Sequence, residues 1–483
     1  MPVFAILGCI SSGMELLSTT HSALTALSPL DGRYVKKLPQ LASVFSDFAL
    51  TKQRLLVEVA YVLFLSNKNL IKPFSVLQQQ QLHALVEQFS VEDAVTVQTI
   101  EQTTRHDVKA VEYFLRAYMR SHNIPNEQYV HFALTSEDVN SLAYGLMLQQ
   151  GIHEVIVPQL QTVLIVLTTM AKKYATVPML ARTHGQRAVP TTMGKELAVF
   201  AQRLLSELEL LSTMTIEGKL SGAVGNLNAH TITFIDESIL ELSTEFVESL
   251  GLYPQLVTTQ ILPPENVLRI FSSLLRINGI LLDCAQDCWR YISDGYLKQS
   301  VVKGQVGSST MPQKINPIDF ENAEGNLGIA NALLIHFLQK LPVSRLQRDL
   351  SDSTVKRNFG SMLGYCSLSY QSLIKGLEKV SLDRALVGRE LDDHWEVLAE
   401  AYQIVLRQHG ISNGYELLKD IVQGETCSQQ QARGWIEQLT VSPKVKKTLA
   451  EITPRSYIGI APEITQLVVQ RSEQYLKGQY EHS

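Results

Sequence analysis

Between Glu265 and Lys298 the chain runs without a proline, and Ile270, Leu274, Ile277, Leu281, Ala285, Cys288 and Ile292 recur at alternating steps of four and three. That period lays an apolar stripe along an α-helix. About 34 residues at 1.5 Å each make a rod of roughly 50 Å, longer than a small domain is wide. Phe271, Leu275, Leu282 and Trp289 flank the stripe, so a second face also needs cover. A helix this long and this apolar belongs in a bundle, and a bundle beyond one chain's reach must be shared between chains.

The same spacing recurs after Pro190, a residue favoured in a first helical turn, at Met193, Leu197, Phe200, Leu204, Leu208 and Leu211. Further helices are expected over Glu137–Gln150, His153–Tyr174, Asp236–Leu250, Ile318–Lys340 and Ser353–Val380. Two-residue alternation is nearly absent, so little sheet is expected. Pro39, Pro73 and Pro125 break the early helices, and Gly410, Gly424, Pro443 and Pro454 break the late ones. The expected fold is all-α with three helical domains: an N-terminal helical domain over 14–130, a central long-helix bundle over 131–377 and a C-terminal helical domain over 378–483.

Composition agrees with shared burial. Only 18% of the 483 residues are charged while 45% are hydrophobic, against roughly 25% charged in an average soluble chain. A membrane span is not the explanation, because the best candidate, Val155–Met170, holds Pro158, Gln159 and Gln161 and runs into Lys172 and Lys173. A net charge of -5 gives no basic footprint for nucleic acid. Five cysteines are too few and odd in number for a disulfide framework, which points to a reducing, cytoplasmic setting. Cys284 and Cys288 lie one helical turn apart with no second ligand pair, a core-packing pattern rather than a metal site. No Lys or Arg precedes Arg33, so residues 1–13 lack the basic start of an export signal and read as a disordered extension or as the product of an upstream start codon before Met14.

The densest chemistry lies in Gly304-Gln-Val-Gly-Ser-Ser-Thr-Met-Pro-Gln-Lys-Ile-Asn-Pro317, between two long helices. Two glycines and Ser308-Ser309-Thr310 gather N–H and hydroxyl donors, and Lys314 and Asn316 add a cation and an amide. The helix expected from Ile318 offers an anion-favouring N-terminus, and the spacing is not that of a P-loop. This segment resembles the signature of the fumarase/aspartase superfamily, GSSxMPxKxNP, whose members eliminate fumarate or a related acid across a C–N or C–O bond. Such a β-elimination must stabilise a carbanion beside a carboxylate as it forms, which clustered donors and a lysine can do. The resemblance makes Ser308 the base, activated when the loop closes and excludes water.

Other segments choose within that superfamily. Ser28-Pro-Leu-Asp-Gly-Arg-Tyr34, Thr104-Arg-His-Asp-Val-Lys-Ala-Val-Glu112, His131-Phe-Ala-Leu-Thr-Ser-Glu-Asp138, Arg182-Thr-His-Gly-Gln186 and the run from Ser344 to Asn358 resemble the adenylosuccinate lyase family in its bacterial form, over roughly residues 14 to 480. The resemblance implies a lyase that splits fumarate from adenylosuccinate, giving AMP, and from the succinylaminoimidazole carboxamide ribotide of purine synthesis. It also implies a homotetramer whose sites form where three subunits meet, with small-molecule nucleotide substrates and no metal or organic cofactor. The nearest rivals are another superfamily lyase, such as argininosuccinate lyase or fumarase, and a scaffold that kept the bundle and lost catalysis. A small dicarboxylate would have no use for the arginines around 345–357 together with Asp31-Gly-Arg-Tyr34.

Arg33 and Tyr34 pair a guanidinium with an aromatic face, suited to phosphate or purine contact. Thr135 and Asp138 sit at capping-box spacing, and the resemblance adds Thr135 and Ser136 as contacts to the succinyl carboxylates or the loop. His184 lies in a polar Thr-His-Gly-Gln turn, an imidazole is a residue type suited to proton transfer, and the resemblance makes it the general acid for the departing nitrogen. The resemblance gives His106 a substrate-positioning role, with Asp107 placed to orient it. Arg105 departs from the Asn of some relatives. Arg348, Ser353 and Arg357 are spaced to converge on a phosphate, flanked by Arg345 and Lys356, with Asp349 and Asp352 as the alternative partners of these charges. Gln260, Ser309, Lys314, Asn316 and Asn322 carry over by residue as substrate contacts.

Overall fold

The computed structural model describes residues 23–300, 311, 313–422 and 426–481. Nearly every described element is a helix, with three two-stranded pairings besides. The chain divides into two compact units, 1–159 with 210–276 and 326–368, and 160–209 with 277–325 and 369–483.

In the first unit, the helices Asp47–Asn67, Val76–Glu87 and Val91–Thr104 each open on a serine whose side chain accepts a backbone N–H of the first turn, from Ser46, Ser75 and Ser90. These caps satisfy donors that have no partner inside a helix. Asp47–Asn67 buries Leu55, Val57, Tyr61, Val62 and Leu65. Tyr61 meets Phe246 of the Ile239–Ser249 helix edge-on, with ring centres 5.2 Å apart. Phe271, Phe337 and Phe359 form a second aromatic group with centres 5.0 to 5.7 Å apart. Residues 217–218 pair in parallel with 253–254.

The helix Ser136–Gln150 does not end where the sequence suggests. It continues through a π-helical turn, Gly151–Ile156, into Val157–Lys173. By length and composition alone this continuous helix could cross a membrane, yet half of its most apolar stretch is buried within the chain, as in a core helix. Gly151 is needed because a Cβ there would stand 2.4 Å from the Phe45 ring, and a Cβ at Gly360 would stand 2.4 Å from the Phe45 Cβ.

The second unit holds the antiparallel hairpin Pro178–Thr183 with Gln186–Thr192 and the helix Met193–Leu211. Pro190 therefore lies in a strand, and the helix expected from it begins three residues later. The proline-free helix runs Glu265–Ser293 and stops at Gly295, whose φ of 79° leaves the helical region. Leu297–Gln299 then pairs with Val380–Leu382, so the last five residues expected in that helix lie beyond its end and Val380 lies outside its own. The expected Ser353–Val380 helix is two, Ser351–Lys356 and Phe359–Glu378, while Ile318–Lys340 has the bounds expected of it. Trp395, Leu398, Tyr402, Leu406, Ile436 and Leu449 form a late core. Cys284, Cys288, Cys366 and Cys427 are buried thiols outside any disulfide.

Adding a methyl group at Gly360 must displace Phe45 or the backbone. Gly360→Ala is expected to lower the unfolding free energy by about 1–3 kcal/mol, read by denaturant titration. The clash is with the Phe45 Cβ, which leucine keeps, so Phe45→Leu in that background should recover little of the loss.

Candidate active site

The first unit encloses a cavity of about 450 Å³ lined by residues of five stretches, among them Arg54, Glu101, Arg105–Asp107, Ser136, Glu137, Asn140, Tyr144, Arg348, Ser353, Lys356 and Arg357. The volume suits a small ligand. Arg54, Arg105, Arg348, Lys356 and Arg357 face Glu101, Asp107 and Glu137, an excess of two positive charges. That balance suits an anion of about the charge of a phosphate monoester at neutral pH.

The cavity depends on the first turn of the Ser136–Gln150 helix, where Glu137 and Asp138 are both buried. Asp138 accepts from Lys219 Nζ at 2.5 Å and from the backbone N–H groups of Thr135, Ser221 and Gly222 at 2.9 to 3.2 Å. Lys219 and Asp138 are both fully buried. Asp138 is thus the capping-box carboxylate expected from the sequence and also ties a distant segment to the helix start. Glu137 accepts from Asn140 at 2.8 Å and pairs with Arg348 at 3.0 Å and Lys356 at 3.4 Å. Burial would lower the Lys356 ammonium's affinity for its proton, but the Glu137 and Asp352 carboxylates outweigh it and hold the group above its ordinary range.

Arg348 also donates to Gln260 Oε1 at 3.1 Å and to Ser353 Oγ at 3.3 Å, so the structure brings together three of the residues expected to bind substrate. Gln260 is steadied by its own donation to the Ala223 carbonyl at 2.8 Å. Arg357 lines the same cavity and donates to Asp107 Oδ2 at 3.2 Å, alongside Arg54 at 2.7 Å. Burial pushes the Asp107 carboxyl up, but Arg54, the Val108 N–H and Arg357 together hold it below the usual carboxylate range.

This corrects the partner expected for His106. Asp107 serves the two arginines, and its nearer oxygen is 3.9 Å from His106 Nδ1. His106 instead caps the Asp107–Ser121 helix, accepting the Lys109 N–H on Nδ1 at 3.2 Å. An acceptor at Nδ1 leaves the proton on Nε2, which lies 3.3 Å from Ser136 Oγ. Arg105 ends the preceding helix in the left-handed region, φ 52°, and lines the cavity beside it. Thr135 sits at the helix cap next to Ser136.

Other expected residues lie elsewhere. Arg33 is exposed in the turn after Pro29, with Tyr34 half-buried beneath Lys37, and neither lines the cavity. His184, Lys314, Asn316 and Asn322 belong to the second unit. His184 and Gly185 are the two central residues of the hairpin turn, both at positive φ, 53° and 75°, the geometry of a type I′ turn. Arg182 and Arg187 face each other one step below, and both pair with Glu390, at 3.0 and 3.2 Å. Lys314 and Asn316 precede the Ile318–Lys340 helix, and Asn322 lies on its second turn. Ser308, Ser309 and the extension 1–13 lie outside the described residues.

Sequence reading missed Arg54, Glu101, Glu137, Asn140 and Tyr144. Arg54 and Asn140 are joined by a 2.9 Å hydrogen bond across 86 residues of chain. No local spacing announces such a contact; the one available signal was a run of charge in a helix stretch otherwise apolar.

The model of a lyase family matches residues 32–330, and the model of an adenylosuccinate lyase C-terminal domain matches residues 344–458. The chain is 44% identical to the adenylosuccinate lyase of Haemophilus influenzae over 450 residues, 92% of this chain and 99% of that one. It is 44% identical to that of Escherichia coli strain K12 over 91% of this chain and 98% of the other. The 3-carboxy-cis,cis-muconate lactonizing enzyme of Pseudomonas putida shares the fold, with a TM-score of 0.74 over 91% of this chain and 98% of that one at 22% identity.

Lys219→Met strands the Asp138 carboxylate without its cation, and is expected to cost about 3–5 kcal/mol of stability, read by denaturant unfolding. A second expectation concerns His131, which donates through its backbone N–H and Nδ1 to the buried Glu58 carboxylate at 3.0 and 2.6 Å. Burial lowers the His131 pKa, but Glu58 outweighs it and the net direction is up. The pair's contribution to stability is therefore complete below about pH 6.5 and falls as pH rises through the raised value. The melting-temperature difference between wild type and His131→Gln should shrink over that window; a difference that grows with pH would overturn the assignment.

Proposed function

The chain belongs to the adenylosuccinate lyase family of the fumarase/aspartase superfamily, and from that premise we propose how its residues divide the reaction. The enzyme is a C–N lyase that cleaves adenylosuccinate to AMP and fumarate, and succinylaminoimidazole carboxamide ribotide to its carboxamide and fumarate, in purine nucleotide biosynthesis. The observation that carries this function is 44% identity to adenylosuccinate lyases over nearly the whole chain.

Arg348, Ser353 and Arg357 take the nucleotide phosphate or sugar, supported by their convergence on one cavity with surplus positive charge. His106, Ser136 and Thr135, at the start of the buried-carboxylate helix, take the succinyl end, with Arg105, Asp107 and Gln260 completing the contacts. Arg33 and Tyr34 add phosphate or purine contacts. Ser308, deprotonated to its alkoxide, removes the proton from the carbon next to the carboxylate, leaving a carbanion whose charge spreads onto that carboxylate. Ser309, Lys314, Asn316 and Asn322 stabilise this charge as it develops. The electron pair then forms the double bond of fumarate as the C–N bond breaks, and His184 delivers a proton to the leaving nitrogen. Ser308 ends as the neutral hydroxyl and His184 as the neutral imidazole, so one proton passed from serine to histidine through solvent restores the pair, and no metal or cofactor enters the scheme.

We place the enzyme in the cytoplasm as a homotetramer with sites shared between subunits. Exposed Trp289, Ile329, Ile335 and Val199 on its long helices support assembly, because they leave apolar stripes for other chains to cover. Buried thiols outside any disulfide fit a reducing compartment.

Purified protein given adenylosuccinate should show a falling succinyl-adenine absorbance and equimolar fumarate. Turnover of argininosuccinate and not of adenylosuccinate would sink the assignment. His184→Gln and Ser308→Ala should each leave the assembly intact and lower kcat by about 10²–10⁴-fold; a near wild-type rate removes that residue from its role.

A further inference from the structure

The two arginines proposed to hold the phosphate are already engaged. Arg348 rests on Glu137 at 3.0 Å, and Arg357 on Asp107 at 3.2 Å. Turning either guanidinium onto a ligand takes a cation away from its carboxylate. For Glu137, whose side chain is 1% exposed, losing Arg348 with no other counter-charge in place would be prohibitive. Each carboxylate has a second cation that no role assigned so far explains. Lys356 reaches Glu137 at 3.4 Å and Asp352 at 2.6 Å, and Arg54 reaches Asp107 at 2.7 Å. Both second cations are more enclosed than the arginine they accompany or equally so, with side chains 18% and 6% exposed against 19% for Arg348 and 48% for Arg357.

We propose that Lys356 and Arg54 are positioning residues, the resident counter-charges of Glu137 and Asp107, which free Arg348 and Arg357 to turn onto the substrate phosphate. The proposal rests on the reading that Arg348 binds that phosphate. Without Lys356, Glu137 holds Arg348 in place, because releasing it would leave a buried carboxylate with only the Asn140 amide. The lysine then affects substrate binding through the carboxylate and without touching the ligand. The attractions that keep Lys356 protonated despite burial fit a cation that never leaves its post.

This predicts a particular non-additivity, measured in the full-length enzyme with adenylosuccinate as substrate. Lys356→Met should raise KM about tenfold with a smaller change in kcat, and Lys356→Arg should restore KM. Glu137→Gln removes the charge that retains Arg348, so the Glu137→Gln/Lys356→Met double variant should bind within about threefold of Glu137→Gln alone. A double variant about tenfold weaker than Glu137→Gln means that Lys356 acts on binding by a route other than Glu137, and overturns the proposal. Wild-type KM in Lys356→Met overturns it as well. Should Lys356→Met alone fail to fold, the comparison of the double variant with Glu137→Gln still decides. Arg348→Gln separates the two levels: unchanged KM there defeats the phosphate role itself, whereas a raised KM with additive Lys356 and Glu137 effects defeats only the present inference.

Discussion

Two adjacent buried carboxylates, Glu137 and Asp138, set the terms for the first unit. Neighbours on a helix point about 100° apart, since 3.6 residues make a turn, so one helix start addresses two different surroundings. Each buried carboxylate requires partners, because the penalty for taking a charge out of water amounts to several kcal/mol. Asp138 draws Lys219 and the N–H groups of Ser221 and Gly222 to the helix start, and Glu137 draws Arg348 and Lys356. The same turn that fixes the packing therefore fixes the cations of the cavity. A helix N-terminus is also where negative side chains are best tolerated, which makes this position the least costly place for such a pair.

Much of this was legible in the residues, and the pattern of success has a physical reason. Ile318–Lys340 had its bounds, the Thr135–Asp138 cap was visible, and Arg348, Ser353 and Arg357 share a cavity as their spacing suggests. All three rest on relations within a few turns of one stretch of chain. Arg54 was invisible because its partners, Asp107 and Asn140, lie 53 and 86 residues away. Asp107 was assigned to His106 for the same reason: adjacency is a fair guess until a distant guanidinium competes for the carboxylate. The break between Lys356 and Phe359 was missed because the apolar period runs on through it.

The hairpin carrying His184 shows the other kind of failure. Its strands are short, its tip is His-Gly rather than Asn-Gly, and the helical period resumes at Met193, so a proline in the second strand reads as a helix start. What stabilises it cannot be seen locally either. Arg182 and Arg187 are cross-strand neighbours, and like charges placed directly opposite weaken a pair of strands. Glu390 reverses the sign of that contact by accepting both, one step from the turn. The His184 imidazole is thereby carried on a short, clamped pair of strands rather than on a free loop, which favours a fixed orientation for the proposed proton delivery.

Binding groups and proposed proton-transfer groups differ correspondingly in their supports. Arg348 and Arg357 stand on carboxylates at helix starts, and in the proposed scheme they exchange these contacts for ligand oxygens while Lys356 and Arg54 stay. His184 stands on a turn whose geometry is backbone-determined, so its position does not depend on whether an anion is bound. Contacts to a nucleotide phosphate lie far from the C–N bond that breaks, and binding energy from such remote groups aids the chemistry only when it constrains the reacting atoms. Exchangeable ion pairs suit the first task, since they let the ligand in; a clamped hairpin suits the second, since proton transfer depends steeply on distance and angle. The excess of two positive charges in the cavity suits the proposed phosphate, while the two carboxylates of the succinyl end call for hydrogen-bond donors and cations of their own.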